Sequence, residues 1–400
     1  MKSKMKKTAR ILSIAALVAM GIMGAACSKI ESLEIETPET QKENIVTLTT
    51  TVGFAADDTK ALTGTGVKTF GAGDQMAVIY KNTSGGTVKA VGTLTSGAGT
   101  KSGTFTFTLT NPDKTQNVTY IYPAAMAGST GVDYTKLNSQ SSGTLTDLGS
   151  KYDLATNSGA WNAGALPSLT LNNQLAILAI TLKNSTDITS NITGMTISDG
   201  TNTYAVSRSA VAGPIYVAIQ PTSGATIEVT ATDGTDDYVK TLTSKTYAAN
   251  NGYNVTWNMT KLPKVTWNST NVFKEANQNV ELNQSHPTPL TYEGIMISFN
   301  GSGTASYFCP YEQLMGEAKL MCFGASGDSF IFTAPSGQKF TKIEIIDDSF
   351  INFTAYGDWT KPAKNKIVWR GTPANAVTLG GSNNTFAQNL ISIVFTLKDD

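Results

Sequence analysis

Histidine, arginine and cysteine are nearly absent from this chain of 400 residues, which has one His, three Arg and three Cys, with 15% of residues charged. So few bases and guanidinium groups leave little with which hydrolases, metalloenzymes or phosphate-handling enzymes work. The expectation is a protein that is not an enzyme and has no cofactor. Low charge beside 36 Gly and 58 Thr also excludes a helical bundle, whose surface would be filled with Ala, Glu, Lys and Leu. Disorder is excluded by a hydrophobic content of 40% and aromatics spread along the chain. What remains is a β-rich, multidomain chain.

The N-terminus carries a different signal. Lys2, Lys4, Lys6, Lys7 and Arg10 precede an apolar run from Ile11 to Ile22, followed by Gly24, Ala25, Ala26 and Cys27. A basic segment, a short apolar core and small residues describe a signal peptide over residues 1–26, too short for a membrane span. Met23-Gly24-Ala25-Ala26-Cys27 is similar to a bacterial lipobox, with Gly24 at the place usually taken by Leu. That resemblance implies lipid on Cys27 and a surface-exposed anchor in the outer membrane; the competing reading is cleavage after Ala26 and a soluble product. Several acyl chains on one residue give stable anchoring. Residues 27–45, with Glu31, Glu34, Glu36, Glu39 and Glu43, are too polar to fold and read as a flexible tether. Without residues 1–26 the formal charge of zero becomes −5, 25 cations against 30 carboxylates. A net-negative chain argues against nucleic acid as a partner.

From Val46 onward the apolar period is two. Val46, Leu48, Val52 and Phe54 alternate with polar neighbours, as do Phe105, Phe107 and Leu109 with Thr104, Thr106 and Thr108. Such alternation marks antiparallel strands with one face on a core, and Thr suits the wet face because its β-branch fits the pleat. Turn signals recur at Ser84-Gly85-Gly86, Asn111-Pro112-Asp113, Asp199-Gly200, Asp233-Gly234 and Gly380-Gly381. No sustained helical pattern follows the signal peptide, so the chain reads as sandwiches or barrels in series. The expected modules are 46–165, 166–262 and 263–400. Asn138 to Gly164 reads as a surface excursion, and Leu262-Pro263-Lys264 as a boundary.

The first two modules resemble the fimbrillin family of Bacteroidales type V pilus subunits. The residues that carry the likeness are Phe70-Gly71-Ala72-Gly73-Asp74-Gln75-Met76-Ala77-Val78 and Tyr120-Ile121-Tyr122-Pro123-Ala124. They continue with Asp153-Leu154-Ala155-Thr156 and Leu169-Thr170-Leu171-Asn172-Asn173-Gln174-Leu175-Ala176-Ile177, where the family often has His in place of Asn173. Ile215 to Pro221, Asp233-Gly234 and Asn251 to Val255 complete the series. The resemblance implies two transthyretin-like β-sandwich domains, followed here by a C-terminal β-sandwich module, and a role in adhesion or fibre building. It also implies partners: other pilus subunits, joined by exchange of a strand after proteolysis of the first one.

Two features depart from that pattern. No Arg lies between Arg10 and Arg208, and the residue standing where the family is cut is Lys60. The chain also continues for well over a hundred residues past the second module. Both favour a tip or accessory subunit over a repeating stalk subunit; the alternative is a monomeric lipid-anchored binder of glycans or host proteins.

The third module holds the candidate ligand contacts Tyr307, Tyr311, Tyr356 and Trp359, aromatic residues near turns that could stack on sugar rings. Filling the core or its ends is the better reading for them, as it is for Trp369. Gly327-Asp328-Ser329-Phe330 mimics a lipase nucleophile block, but no His follows it and His286 lies upstream, so a turn is the better reading. His286, in Ser285-His286-Pro287, lacks a second ligand for a metal. Asp233, Asp236 and Asp237 read as a solvated hairpin turn and not a Ca²⁺ loop, and Asp347-Asp348 as another. Cys309 and Cys322 flank a candidate hairpin; an exported protein would permit a disulfide between them, and two buried thiols are the equal alternative.

Overall fold

A computed structural model describes residues 43–54, 68–268, 290–300, 307–308, 321–322, 329–347, 357–380 and 390–400. Strands dominate. The first five are β1 (Ile45–Phe54), β2 (Gln75–Lys81), β3 (Thr87–Ser96), β4 (Ser102–Thr110) and β5 (Val118–Tyr122). Then come β6 (Ser139–Ser141), β7 (Ala155–Gly159) and β8 (Leu169–Asn173). Except for β6, they form one sheet in the order β1-β4-β3-β2-β5-β7-β8, which closes because β8 runs parallel to β1. Alternation decides which face turns inward: Phe105, Phe107 and Leu109 are fully buried, while Thr104, Thr106 and Thr108 are not. Val52, Phe54, Phe70, Met76, Tyr120 and Leu171 complete this first core. Gly92 in β3 is required by it, since a Cβ there would sit 2.6 Å from the Phe107 ring and from the Thr106 carbonyl.

The second core takes in β9 (Ala176–Asn184), β10 (Thr186–Asp187), β11 (Gly194–Ser198), β12 (Thr203–Ser207) and β13 (Ile215–Ile219). It continues through β14 (Thr222–Thr232), β15 (Asp237–Tyr247), β16 (Asn251–Asn258) and β17 (Thr260–Lys261). One sheet centres on β9, flanked by antiparallel β13 and parallel β16; the other runs β17-β15-β14-β11-β12-β6. Here the sequence reading needs correcting. Leu166 and Leu171 belong to the first core, and the stretch read as a surface excursion supplies the second. Leu137 and Leu148 are buried there, and β6 pairs in parallel with β12. Leu148 sits on a short helix, α1 (Leu145–Lys151), capped by the Thr144 hydroxyl. Gln140, only 2% exposed, bonds through its side-chain amide to both the N–H and the C=O of Ala218, linking β6 to β13 in the opposite sheet. A segment rich in Ser, Gly and Asn looks like loop because its few buried residues have no period.

Beyond Pro263 lie β18 (Lys264–Asn268), β19 (Leu290–Tyr292), β20 (Ile295–Asn300), β21 (Tyr307–Phe308) and β22 (Met321–Cys322). The rest are β23 (Ser329–Thr333), β24 (Gln338–Asp347), β25 (Trp359–Ala363), β26 (Lys366–Trp369), β27 (Ala376–Gly380) and β28 (Leu390–Asp399). Two sheets, β18-β28-β24-β26-β25 and β19-β20-β23-β27, enclose Trp267, Phe330, Phe332, Phe340 and Phe395. Trp369 is in this core as expected. On β24 the buried Glu344 is pushed up by burial, but hydrogen bonds from Lys342 and Lys366 outweigh that and hold its carboxyl below the usual range.

Two outcomes follow from this packing. Gly92→Ala is expected to lower the unfolding free energy by about 1–3 kcal/mol, the cost of overpacking, measured by denaturant titration. Because the folded-state pKa of Glu344 is depressed, its contribution is present above its unfolded pKa and lost as pH falls through the folded one. Glu344→Gln should therefore flatten the loss of thermal stability below about pH 4, as followed by Tm against pH.

Candidate functional site

The resemblance-bearing residues converge on one buried lysine. Phe70 starts a tight turn in which Gly73 has φ +82, and Asp74 closes it by accepting the Gly71 N–H at 2.7 Å. The same carboxylate oxygen accepts the Tyr122 hydroxyl. Burial and this carboxylate raise the Tyr122 phenol above its ordinary value. The Phe54 and Phe70 rings stack at 4.3 Å, and Tyr122 stands edge-on to both. Into this aromatic wall projects Lys68, its Nζ 4.6 Å from the Phe54 centroid and 5.2 Å from that of Tyr122.

Three oxygens meet that ammonium. Asp153 Oδ2 lies at 2.9 Å, the Asp153 carbonyl at 3.0 Å and Asn173 Oδ1 at 2.9 Å. The Lys68 and Asp153 side chains are 3% and 0% exposed. Asn173 in turn donates from Nδ2 to Asn250 Oδ1, in the turn before β16. The cluster thus joins the end of β1, the entry to β2, the ends of β5 and β8, and a turn of the second module. Neither composition nor alternation points to Lys68, because an isolated Lys in a Thr- and Gly-rich stretch looks solvated. The one usable signal was the set of motifs around it.

The second feature is β1 itself. It pairs antiparallel with β4 from Ile45↔Thr110 to Gly53↔Ser102, and parallel with β8 over Val52↔Leu169 to Phe54↔Leu171. Its inward side chains are Val46, Leu48, Thr50, Val52 and Phe54, with burial deepening toward Phe54. Thr50 donates its hydroxyl to the Pro167 carbonyl at 2.9 Å, as does Tyr120. A terminal strand that fills a slot between two neighbours, with alternate side chains in pockets, is the geometry on which strand addition relies.

The other sequence-predicted positions fall as follows. Cys27, Lys60, Cys309, Tyr311, Tyr356 and His286 lie outside the described residues. Tyr307 pairs with Cys322 across the short β21–β22 ladder. Of the two readings of Trp359 the core one holds and the ligand contact does not: at 2% exposure it faces the third core, its indole N–H donating to the Thr378 carbonyl, and it offers no face for a sugar. A tryptophan at a strand start directly opposite Trp369 points the same way as that core residue. Ser329 opens β23 in register with Gly380.

The acidic turn is also corrected. Asp233 does hold a hairpin turn, accepting the N–H groups of Thr235 and Asp236. Asp236 is instead paired with Lys261 and Lys264, which hold its carboxyl below the ordinary value. Asp237, 5% exposed, receives Arg370 Nη2 at 3.1 Å and faces Lys342 at 3.9 Å, both from the third module. The three carboxylates serve three different partners. Asp347, expected in a solvated turn, is fully buried at the end of β24.

No protein-family model and no curated protein matches the chain. Solved structures do. A candidate cell adhesion protein from Bacteroides fragilis aligns with 54% of this chain and 96% of its own, at 9% identity and a TM-score of 0.30. A second from Bacteroides uniformis aligns with 54% and 95%, at 17% identity and a TM-score of 0.29. A fimbrial assembly protein from Parabacteroides distasonis aligns with 54% and 90%, at 6% identity and a TM-score of 0.31.

Asp74→Ala is expected to destabilise the first module by about 1–3 kcal/mol, because the buried Tyr122 hydroxyl and the Gly71 N–H lose their acceptor. Tyr122→Phe in the same background should cost less than it does alone, measured by a double-mutant cycle in denaturant.

Proposed function

We propose that the chain is a fimbrillin-like surface protein of the outer membrane, anchored by lipid on Cys27, that acts in adhesion as a tip or accessory subunit. On this reading it is not an enzyme, and its partners are other subunits joined by strand exchange. The observation that carries the reading is β1, the first strand of the described chain, seated between β4 and β8 with its apolar face inward. Removing it would leave Phe105, Phe107, Leu109 and Leu171 facing an empty slot, which a strand of matching alternation would fill. Lys60 is the candidate cleavage position that would free β1. The shortage of Arg and the third module favour a tip or accessory place over a repeating one.

A monomeric surface binder of glycans or host proteins is the competing outcome. With Trp359 buried, that reading loses one of its four proposed stacking residues.

Mass analysis of the protein taken from outer membranes separates the two. Expected are an acylated precursor beginning at Cys27, a product beginning at Ala61 that has lost Cys27, and detergent-resistant ladders that form only after the cut. An acylated, uncut and strictly monomeric protein would overturn the fibre role and leave the surface binder. A free, unacylated N-terminus at Cys27 would overturn the lipid anchor.

A further inference from the structure

We propose that Lys68 and Asn173 are joined by an autocatalytic isopeptide bond, with Asp153 as its catalytic acid and base. This rests on the buried cluster alone and not on the proposed role in a fibre. The reacting groups are already in contact: Lys68 Nζ lies 2.9 Å from Asn173 Oδ1, so the carboxamide carbon is one C=O bond further on. Asp153 Oδ2 lies 2.9 Å from the same nitrogen. Asn173 Nδ2 is held at 3.0 Å by Asn250 Oδ1, which fixes the amide with its oxygen toward the amine. Aromatic rings cover the amine, and all three side chains are at least nine-tenths buried.

Attack needs a neutral amine, so the proton first passes from Nζ to Asp153 Oδ2, 2.9 Å away, giving an amine and an acid without the burial cost of two ions. The freed lone pair attacks Asn173 Cγ, forming the Nζ–Cγ bond and moving the carbonyl π electrons onto Oδ1, where the Asp153 acid stabilises them. A second proton leaves Nζ by way of Asp153 and reaches Nδ2. As the C=O re-forms, the Cγ–Nδ2 bond breaks and ammonia departs. The products are one secondary amide and one ammonia, which takes up the proton still held by Asp153 and leaves as ammonium; Asp153 thus ends as the carboxylate it began as, and nothing is oxidised or reduced. A fixed pair in one pocket supplies the high effective concentration that this attack on an unreactive amide needs. Cation–π contacts to Phe54 and Tyr122 favour the charged amine and so oppose the first step.

The bond would close the chain between residues 68 and 173, tying the entry of β2 to the end of β8. β1 lies outside that covalent loop. The entry of β2 would therefore stay tied to β8 whether or not the first strand is present, while the slot between β4 and β8 could still open.

Peptide mapping and intact mass of the denatured full-length protein test this directly. The expected result is a mass one ammonia below that of the sequence, counted from its own observed N-terminus, with one branched peptide containing both Lys68 and Asn173. Lys68→Arg and Asn173→Ala should each restore the full mass, and Asp153→Ala should leave the two residues unlinked. Linear peptides for both residues in the wild-type protein, with Lys68 open to amine-labelling reagents after denaturation, would overturn the proposal. The wild-type measurement decides the matter even if a variant fails to fold.

Discussion

An antiparallel sheet has two edges, and each is a row of unsatisfied amide and carbonyl groups that must be met by something. In the first module β1 meets both, lying against β4 on one side and β8 on the other. The strand that closes the sheet is also the first one among the described residues. Its deepest residue, Phe54, also roofs the Lys68 amine, so the closure of the sheet and the burial of the cation are one packing event.

The second module is not independent of the first. Leu137, Gln140 and Leu148 come from the connection between β5 and β7, yet they fill the core around β9 and β13. The chain leaves the first sheet, lays β6 on the second, and returns for β7 and β8. Two sheets that share a connection in this way fold as a pair, and the Asn173–Asn250 contact fastens the same junction from the other side. Further on, Asp237, Arg370 and Lys342 make a partly buried ionic joint between the second and third modules. Lys398 and Glu228 add an exposed pair at 2.8 Å that contributes little by comparison.

Alternation made most of the strands readable in the sequence, because a period of two survives wherever one face is wet. Phe105 to Leu109 and Tyr253 to Met259 show it plainly. Three kinds of residue escaped. Gln140 and Leu148 lie in a stretch whose burial follows no period. Asp237 and Asp347 are polar residues buried by partners more than a hundred residues away or on a neighbouring strand, and no local pattern encodes such pairing. Trp359 is aromatic beside a turn, a position for which the core is the better reading but a ligand site stays open until its partner strand is known. Lys68 escaped for the same reason as Asp237, although the motifs that surround it were legible.

The parallel pairing of β1 with β8 also decides how the first module carries load. A pull toward the N-terminus acts at the Ile45 end of β1, while a pull toward the later modules acts at the Asn173 end of β8. Parallel neighbours pulled at opposite ends slide past one another, so their hydrogen bonds, and the Phe54–Phe70–Lys68 packing behind them, share the force at once instead of opening one after another. A hairpin pulled at its two free ends would unzip. The chain order of this barrel therefore makes it stiff along the one axis on which its own ends would pull it.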